Sequence, residues 1–224
     1  MKIVAILLLP IFLYACGYNE NESSYFLKNS IDDVTEVHQQ QSLTQIKNLM
    51  HKLYLRNPNE LKKNIHDLKT ISNIIFTDPK NLKNNTLTNN TRSLDSIYLA
   101  FKDEYKGDRV FALIYGMVSM LLDVYNNKTS FIITDVLYPQ KFYNSARNFE
   151  VINWKLNNNK AQNGKLFLLS NSTDEEKGIN LSFERLFGKL ISQQDIMAKV
   201  LRDSTGRSFR DVVVNIASGL LLPV

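Results

Sequence analysis

The chain has 224 residues and a formal net charge of +5, from 27 Lys and Arg against 22 Asp and Glu, with 44% hydrophobic and 22% charged residues. That composition belongs to a folded globular body and excludes a disordered chain, which is poorer in apolar and aromatic residues. The basic excess is spread along the chain in no block of five or six, and no recognition motif accompanies it, so nucleic acid is not an expected partner.

The first element is N-terminal. Lys2 precedes an apolar stretch from Ile3 to Tyr14, then small Ala15 and Cys16, the only cysteine. This is the anatomy of an export signal. The stretch is too short to span a bilayer, which takes roughly 20 apolar residues, and a lone cysteine serves no disulfide framework. Leu13-Tyr14-Ala15-Cys16 resembles the lipobox of bacterial lipoproteins, where signal peptidase cuts before the cysteine; Tyr14 departs from the small residue more usual there. The resemblance implies a signal peptide over 1–15 and a Cys16 bearing an S-diacylglycerol and an N-acyl chain. Each buried methylene contributes about 0.8 kcal/mol, so several acyl chains hold a protein firmly on a membrane. Gly17, in place of aspartate, resembles the enterobacterial sorting pattern for the outer membrane and implies a domain in the periplasm. Anchoring in the inner membrane stays open, because other bacteria sort differently.

Residues 16–30 read as a lipidated tether, polar with isolated aromatics; a flexible segment of that length has a root-mean-square reach of about 20 Å. From Ile31 the pattern is helical, with Leu43, Ile46, Met50 and Leu53 on one face and Leu49 and Tyr54 widening it. Asn57-Pro58-Asn59-Glu60 predicts a new helix with Asn57 as N-cap, Pro58 at the first position and Glu60 three after the cap. This second helix is expected to run to about Phe76, burying Leu61, Ile65, Leu68 and Ile75, and to make an antiparallel hairpin over 31–76. No second copy occurs at a fixed period, which argues against a helical solenoid. Residues 77–92 are rich in turn formers and predict a mobile loop. Asparagine, 25 of the 224 residues, reads as a turn-tolerant filler of such loops.

The helical core is expected over 93–224, and residues 31–224 as one compact domain. Ser93 opens a third helix through Ile97, Tyr98, Phe101 and Tyr105, ended by Gly107. Asp108 caps a fourth, from Arg109 to about Tyr125, whose residues 110–122 carry no charge and predict burial on most sides. Residues 130–138 are β-branched and could pair with Leu166 to Leu169. A fifth helix spans Pro139 to Leu156, a sixth about Leu181 to Arg202, and a final one starts after Ser208 and buries Val212, Val213, Ile216 and Leu220. The fold class is mainly α: an irregular helical bundle of about seven helices with at most one short strand pair.

Two stripes stand out as candidate surfaces. Ala112, Gly116 and Ser119 fall within about 60° of one another on the fourth helix, with Asp108 and Asp123 at the ends. They predict either close packing by a neighbouring helix or the floor of a groove closed by two carboxylates. Tyr143, Arg147, Glu150 and Trp154 form the second stripe, beside the apolar centre around Phe142, Ala146 and Phe149. An arginine among aromatics is what interface hot spots are made of, so this is the expected partner surface, the alternative being a half-exposed flank with an ordinary ion pair. Gln194 lies on the apolar stripe of the sixth helix and must be hydrogen-bonded, at the core edge or to a loop carbonyl rather than to a ligand. Thr205-Gly206-Arg207, with Arg202 and Arg210, is a basic turn read as a solvated helix junction rather than a phosphate site.

Catalytic machinery is not visible. His38, His51 and His66 show no zinc spacing, and His51 and His66, which could meet across the hairpin, read as surface residues, so no metal is expected. No nucleophile elbow, Ser-x-x-Lys pair or phosphate loop occurs. Glu104, Glu150 or Glu184 could supply the two carboxylates of a cell-wall glycosidase. Gly107 to Val110, Tyr143 to Asn148 and Phe183 to Lys189 loosely resemble an uncharacterised proteobacterial lipoprotein family, which implies no activity. The expected function is a membrane-tethered, non-enzymatic interaction or assembly module with an envelope protein as partner and no cofactor beyond the lipid on Cys16. A carrier of lipid or another apolar ligand and a cell-wall glycosidase are the alternatives.

Overall fold

The computed structural model describes residues 28–64, 66–79, 86–174, 178–206 and 216–224. Cys16, the tether before Lys28, and Arg207, Arg210, Val212 and Val213 lie outside the described residues. The protein is mainly helical, with seven α-helices among the described residues. These are α1 (Ser30–Arg56), α2 (Pro58–Leu61), α3 (Leu68–Phe76), α4 (Ser93–Leu99), α5 (Arg109–Val124), α6 (Pro139–Asn158) and α7 (Ser182–Thr205).

Helix α5 is the centre. It is capped by the Asp108 carboxylate, which accepts from the Phe111 N–H at 2.9 Å. Every residue from Val110 to Leu122 is buried, because a helix with no charge over that stretch has no face to offer water. Around it pack α1 through Ile46, Leu49, Met50 and Leu53, α4 through Ile97 and α6 through Phe142, Phe149 and Ile152, while α7 brings Phe183, Phe187 and Leu190 into the same core against α1 and α6. The start of α1 carries a capping box: the Asn29 side chain accepts from the Asp32 N–H, and the Asp32 carboxylate accepts from the Asn29 N–H. At the other end of the chain, Gly206 adopts φ +66° and stops α7 in the left-handed conformation that glycine reaches without a Cβ clash.

Four expected elements differ. The second helix is broken into α2 and α3, because Asn64 turns its amide to Asp108 and the Asp67 carboxylate accepts from the Thr70 N–H at 2.7 Å to start a new helix. The third ends at Leu99 instead of Tyr105. There the Arg109 guanidinium binds the carbonyls of Ala100, Lys102 and Tyr105 at 2.8, 2.8 and 2.9 Å and so curls the chain out of helix. Residues 131–138 form no strand, since Glu36, Asp135 and Asn126 side chains take the backbone groups of Phe131, Ile132 and Val136. The strand pair that does form is antiparallel β1 (Ser172–Asp174) with β2 (Gly178–Asn180). Of the expected final helix, the described part is a single 3-10 turn, Ile216–Ser218, and Leu220 is 65% exposed.

In the segment expected as a mobile loop, residues 86–92 are tied to the body. Thr88 is fully buried and exchanges hydroxyl-to-carbonyl bonds with Thr91 at 2.7 and 2.6 Å, and the Leu87 carbonyl accepts from the Tyr105 hydroxyl.

The C-terminal residues lie extended along α6, antiparallel to it. The Leu221 N–H donates to the Tyr98 hydroxyl at 2.7 Å. Asn148, fully buried, donates to the Leu222 carbonyl at 2.8 Å and accepts from the Leu222 N–H at 2.6 Å, while Asn144 donates to the Pro223 carbonyl at 2.7 Å. Two asparagines thus replace the missing partner strand for this segment.

Candidate functional site

The stripe Asp108, Ala112, Gly116, Ser119 and Asp123 is occupied by a helix. Helix α4 lies against it, with the Ser96 hydroxyl donating to the Ala112 carbonyl at 2.8 Å and the Ser119 hydroxyl accepting from the Ser93 N–H at 2.7 Å. A Cβ on Gly116 would stand 2.7 Å from the Ile97 backbone nitrogen and 2.9 Å from the Ser93 carbonyl oxygen. Asp123, at the far end, pairs with Arg92 at 2.9 Å. The groove-floor expectation is therefore corrected: small residues here admit a backbone, and no ligand space remains over them.

At the near end Asp108 is 3% exposed and heads a polar cluster. Its carboxylate accepts from the Tyr54 hydroxyl at 2.6 Å, from the Asn64 amide and from the Phe111 N–H. Burial pushes its pKa up to about 6 against these donors, with neighbouring Glu60 adding to the rise. Glu60 accepts from the Arg109 N–H at 2.8 Å and binds Lys63 at 2.7 Å. Two carboxylates thus face the positive end of the α5 dipole, which is a capping arrangement.

The stripe Tyr143, Arg147, Glu150 and Trp154 is half-buried between α6 and α7. The Arg147 guanidinium bridges Glu150 at 3.0 Å and Asp195 of α7 at 2.8 Å, and lies over the Tyr143 ring at 5.0 Å. Arg147 therefore ties α6 to α7, with Glu150 and Tyr143 holding its guanidinium from α6. Burial raises the Glu150 pKa, and Arg147 opposes that rise.

The remaining candidates resolve into structural contacts. Gln194 is fully buried and bonds two hydroxyls on other helices, Ser145 of α6 and Ser42 of α1, both at 3.1 Å, where the core edge or a loop carbonyl was expected. His38 of α1 is half-buried against Tyr125, Phe142 of α6 and Gln193 of α7. Its Nε2–H donates to the Gln193 carbonyl at 2.9 Å, which fixes Nδ1 as the acceptor of the Tyr125 hydroxyl. Burial lowers its pKa. Glu184 holds three amides, those of Asn153, Asn157 and Asn171, at 2.5, 3.0 and 2.7 Å. Glu150 is held by Arg147, and Glu104 is exposed on the loop before α5. Glu150 and Glu184 are engaged by different partners and Glu104 is exposed on a loop, where a glycosidase needs two carboxyls facing one cleft.

Among the described residues no group of three or more His, Cys, Asp or Glu is placed to hold a metal, and no helix is long and apolar enough to cross a membrane. A surface groove of about 560 Å³ runs beside α1, lined by Glu36, Gln40, Thr44, Lys47 and Phe76. Its lining mixes these polar groups with Leu43, Phe76 and Pro79, unlike the continuous apolar cavity expected of a lipid carrier. One residue that sequence reasoning passed over is Lys155, 8% exposed, with its ammonium over the rings of Tyr98 and Phe101. Its spacing from Asn148, Val151 and Ile152 puts it on the inward stripe of α6, which was the available signal.

Comparison with family models, curated proteins and solved structures found no match to the chain.

Proposed function

We propose that this protein is a lipid-anchored bacterial envelope lipoprotein whose helical body is a non-enzymatic interaction or assembly module in the periplasm. The observation that carries the reading is Leu13-Tyr14-Ala15-Cys16, with Cys16 the only cysteine in 224 residues. Acyl chains on Cys16 would supply a membrane attachment that none of the described helices has the length and apolarity to supply. The Gly17 sorting pattern favours the outer membrane.

Helix α1 has 27 residues and extends about 40 Å from the anchored end of the body. Leu55, 81% exposed, stands at its far end, and the Asn57 side chain fastens the backbone of Leu169, itself 50% exposed, to the same end. This end and the flank at Trp154 are the surfaces on which the reading places an envelope protein partner.

The test is incorporation of labelled palmitate together with membrane fractionation. Wild-type protein takes up label and sediments with the outer membrane; Cys16→Ser does neither and accumulates unprocessed. Labelled Cys16→Ser protein, or unlabelled wild-type protein recovered in the soluble fraction, would overturn the anchor. Photocross-linkers at Leu55 and Trp154 test the module separately: discrete adducts with one envelope protein support it, and none above background removes it.

A further inference from the structure

Among the described residues, Lys155 is a cation without an anion. It sits in the last turn of α6, and its Nζ lies 5.3 Å from the Tyr98 ring centroid and 5.7 Å from that of Phe101. The Gly219 backbone covers it so closely that a Cβ there would be 2.7 Å from Nζ. Among the described residues no carboxylate lies within ion-pairing distance of this ammonium and no hydrogen-bond acceptor is placed for it. Burial pushes its pKa down. Ring faces attract a cation but supply no counter-charge, and a buried charge that lacks one is costly to keep. By contrast, Arg147 has two carboxylates and Arg92 has Asp123.

The ammonium opens onto a groove of about 390 Å³, walled by Tyr98, Leu99 and Phe101, with Lys102 and Asn159 at its mouth. Asp95 lines the exposed rim. We infer that this groove binds a small organic monocarboxylate, its carboxylate against Lys155 and its apolar body along Tyr98, Leu99 and Phe101. The second cation, Lys102, adds to the attraction at the mouth. Asp95 repels a second negative group, so a dianion such as phosphate is disfavoured. A neutral isostere leaves the ammonium uncompensated and gains only the contact with the rings. Apolar walls with a few placed polar groups are the usual make-up of a small-molecule site. The inference does not depend on the anchor or on the envelope partner.

Benzoate is the probe, with benzamide and inorganic phosphate as controls, titrated by calorimetry into the purified full chain. Benzoate binds saturably; Lys155→Met weakens it by about tenfold or more while Lys155→Arg retains it, as expected for a charge-assisted bond. Benzamide and phosphate bind at least about tenfold more weakly than benzoate. Absence of saturable benzoate binding, unchanged binding in Lys155→Met, or phosphate binding as tightly as benzoate each overturns the inference. A second readout covers the case of a variant that does not fold. Benzoate must move the side-chain NMR signal of Lys155 in the wild-type protein, and shifts confined to other lysines would refute the site.

Discussion

Gly116 of α5 lies directly against the backbone of Ile97 in α4, leaving 2.7 Å between an added Cβ and the Ile97 nitrogen. The two helices meet backbone to backbone. What would give way is main chain, which cannot swing aside as the end of a side chain can. Overpacking of this kind costs about 1–3 kcal/mol, of which the helix preference of alanine over glycine returns up to about 1. Gly116→Ala should therefore lower the urea midpoint with an unchanged slope, and Gly116→Val should lower it further. An unaltered midpoint in Gly116→Val would show that α4 is not seated as described.

Asn148 fastens Leu222 through both of its backbone groups. Asn148→Ala leaves an N–H and a carbonyl unpartnered, at about 1–3 kcal/mol for each group that stays buried. The loss should be local. Amide exchange at Leu222 should speed up strongly while that of α5 changes little, which hydrogen-exchange NMR resolves residue by residue. Retained protection at Leu222 would contradict the clamp.

Asp108 titrates at about 6 in the folded protein, raised from an ordinary 3.8 by burial. Between those values the folded state holds more protons than the unfolded chain, so this group contributes stability as the pH falls from above 6 towards 4. The contribution is on the order of 2 kcal/mol. Asp108→Asn should remove that segment of the pH–stability curve and keep the bond to the Phe111 N–H. Urea denaturation from pH 4 to 8 measures it, and identical slopes for the two proteins would rule it out.

His38 acts with the opposite sign. Burial depresses its pKa below the ordinary 6.5, so as the pH drops through 6.5 the unfolded chain takes the proton first. Stability present above 6.5 is lost progressively down to the folded pKa. In an Asp108→Asn background, acidification from pH 7 to 5 should destabilise the protein, and His38→Gln should flatten that loss. The same curves with and without His38 would exclude it as the source.

Several elements were legible because local chemistry and burial agree. The uncharged run 110–122 with Asp108 before it could only be a capped, enclosed helix, and Pro139 opened α6 at its expected place. Other local signals were outbid by distant groups. Asn57 and Glu60 have the spacing of a capping box, yet the Asn57 amide serves Leu169 and the Glu60 carboxylate serves Arg109 and Lys63. The β-branched residues 131–138 have strand propensity, but side chains of Glu36, Asp135 and Asn126 took their backbone groups. Asparagine looked like loop filler, whereas Asn144, Asn148, Asn153 and Asn157 on α6 carry bonds between elements.

The amino-acid order alone determined the helical class and the central position of α5, because periodicity and charge-free length are properties of neighbouring residues. It did not determine which face of α5 would be covered, whether Arg147 would point outward, or that Lys155 would be enclosed by the rings of Tyr98 and Phe101. Those depend on which backbone arrives over each side chain. Gly116 shows why: a missing Cβ permits either a ligand or a helix to approach, and only the packing of α4 decided between them.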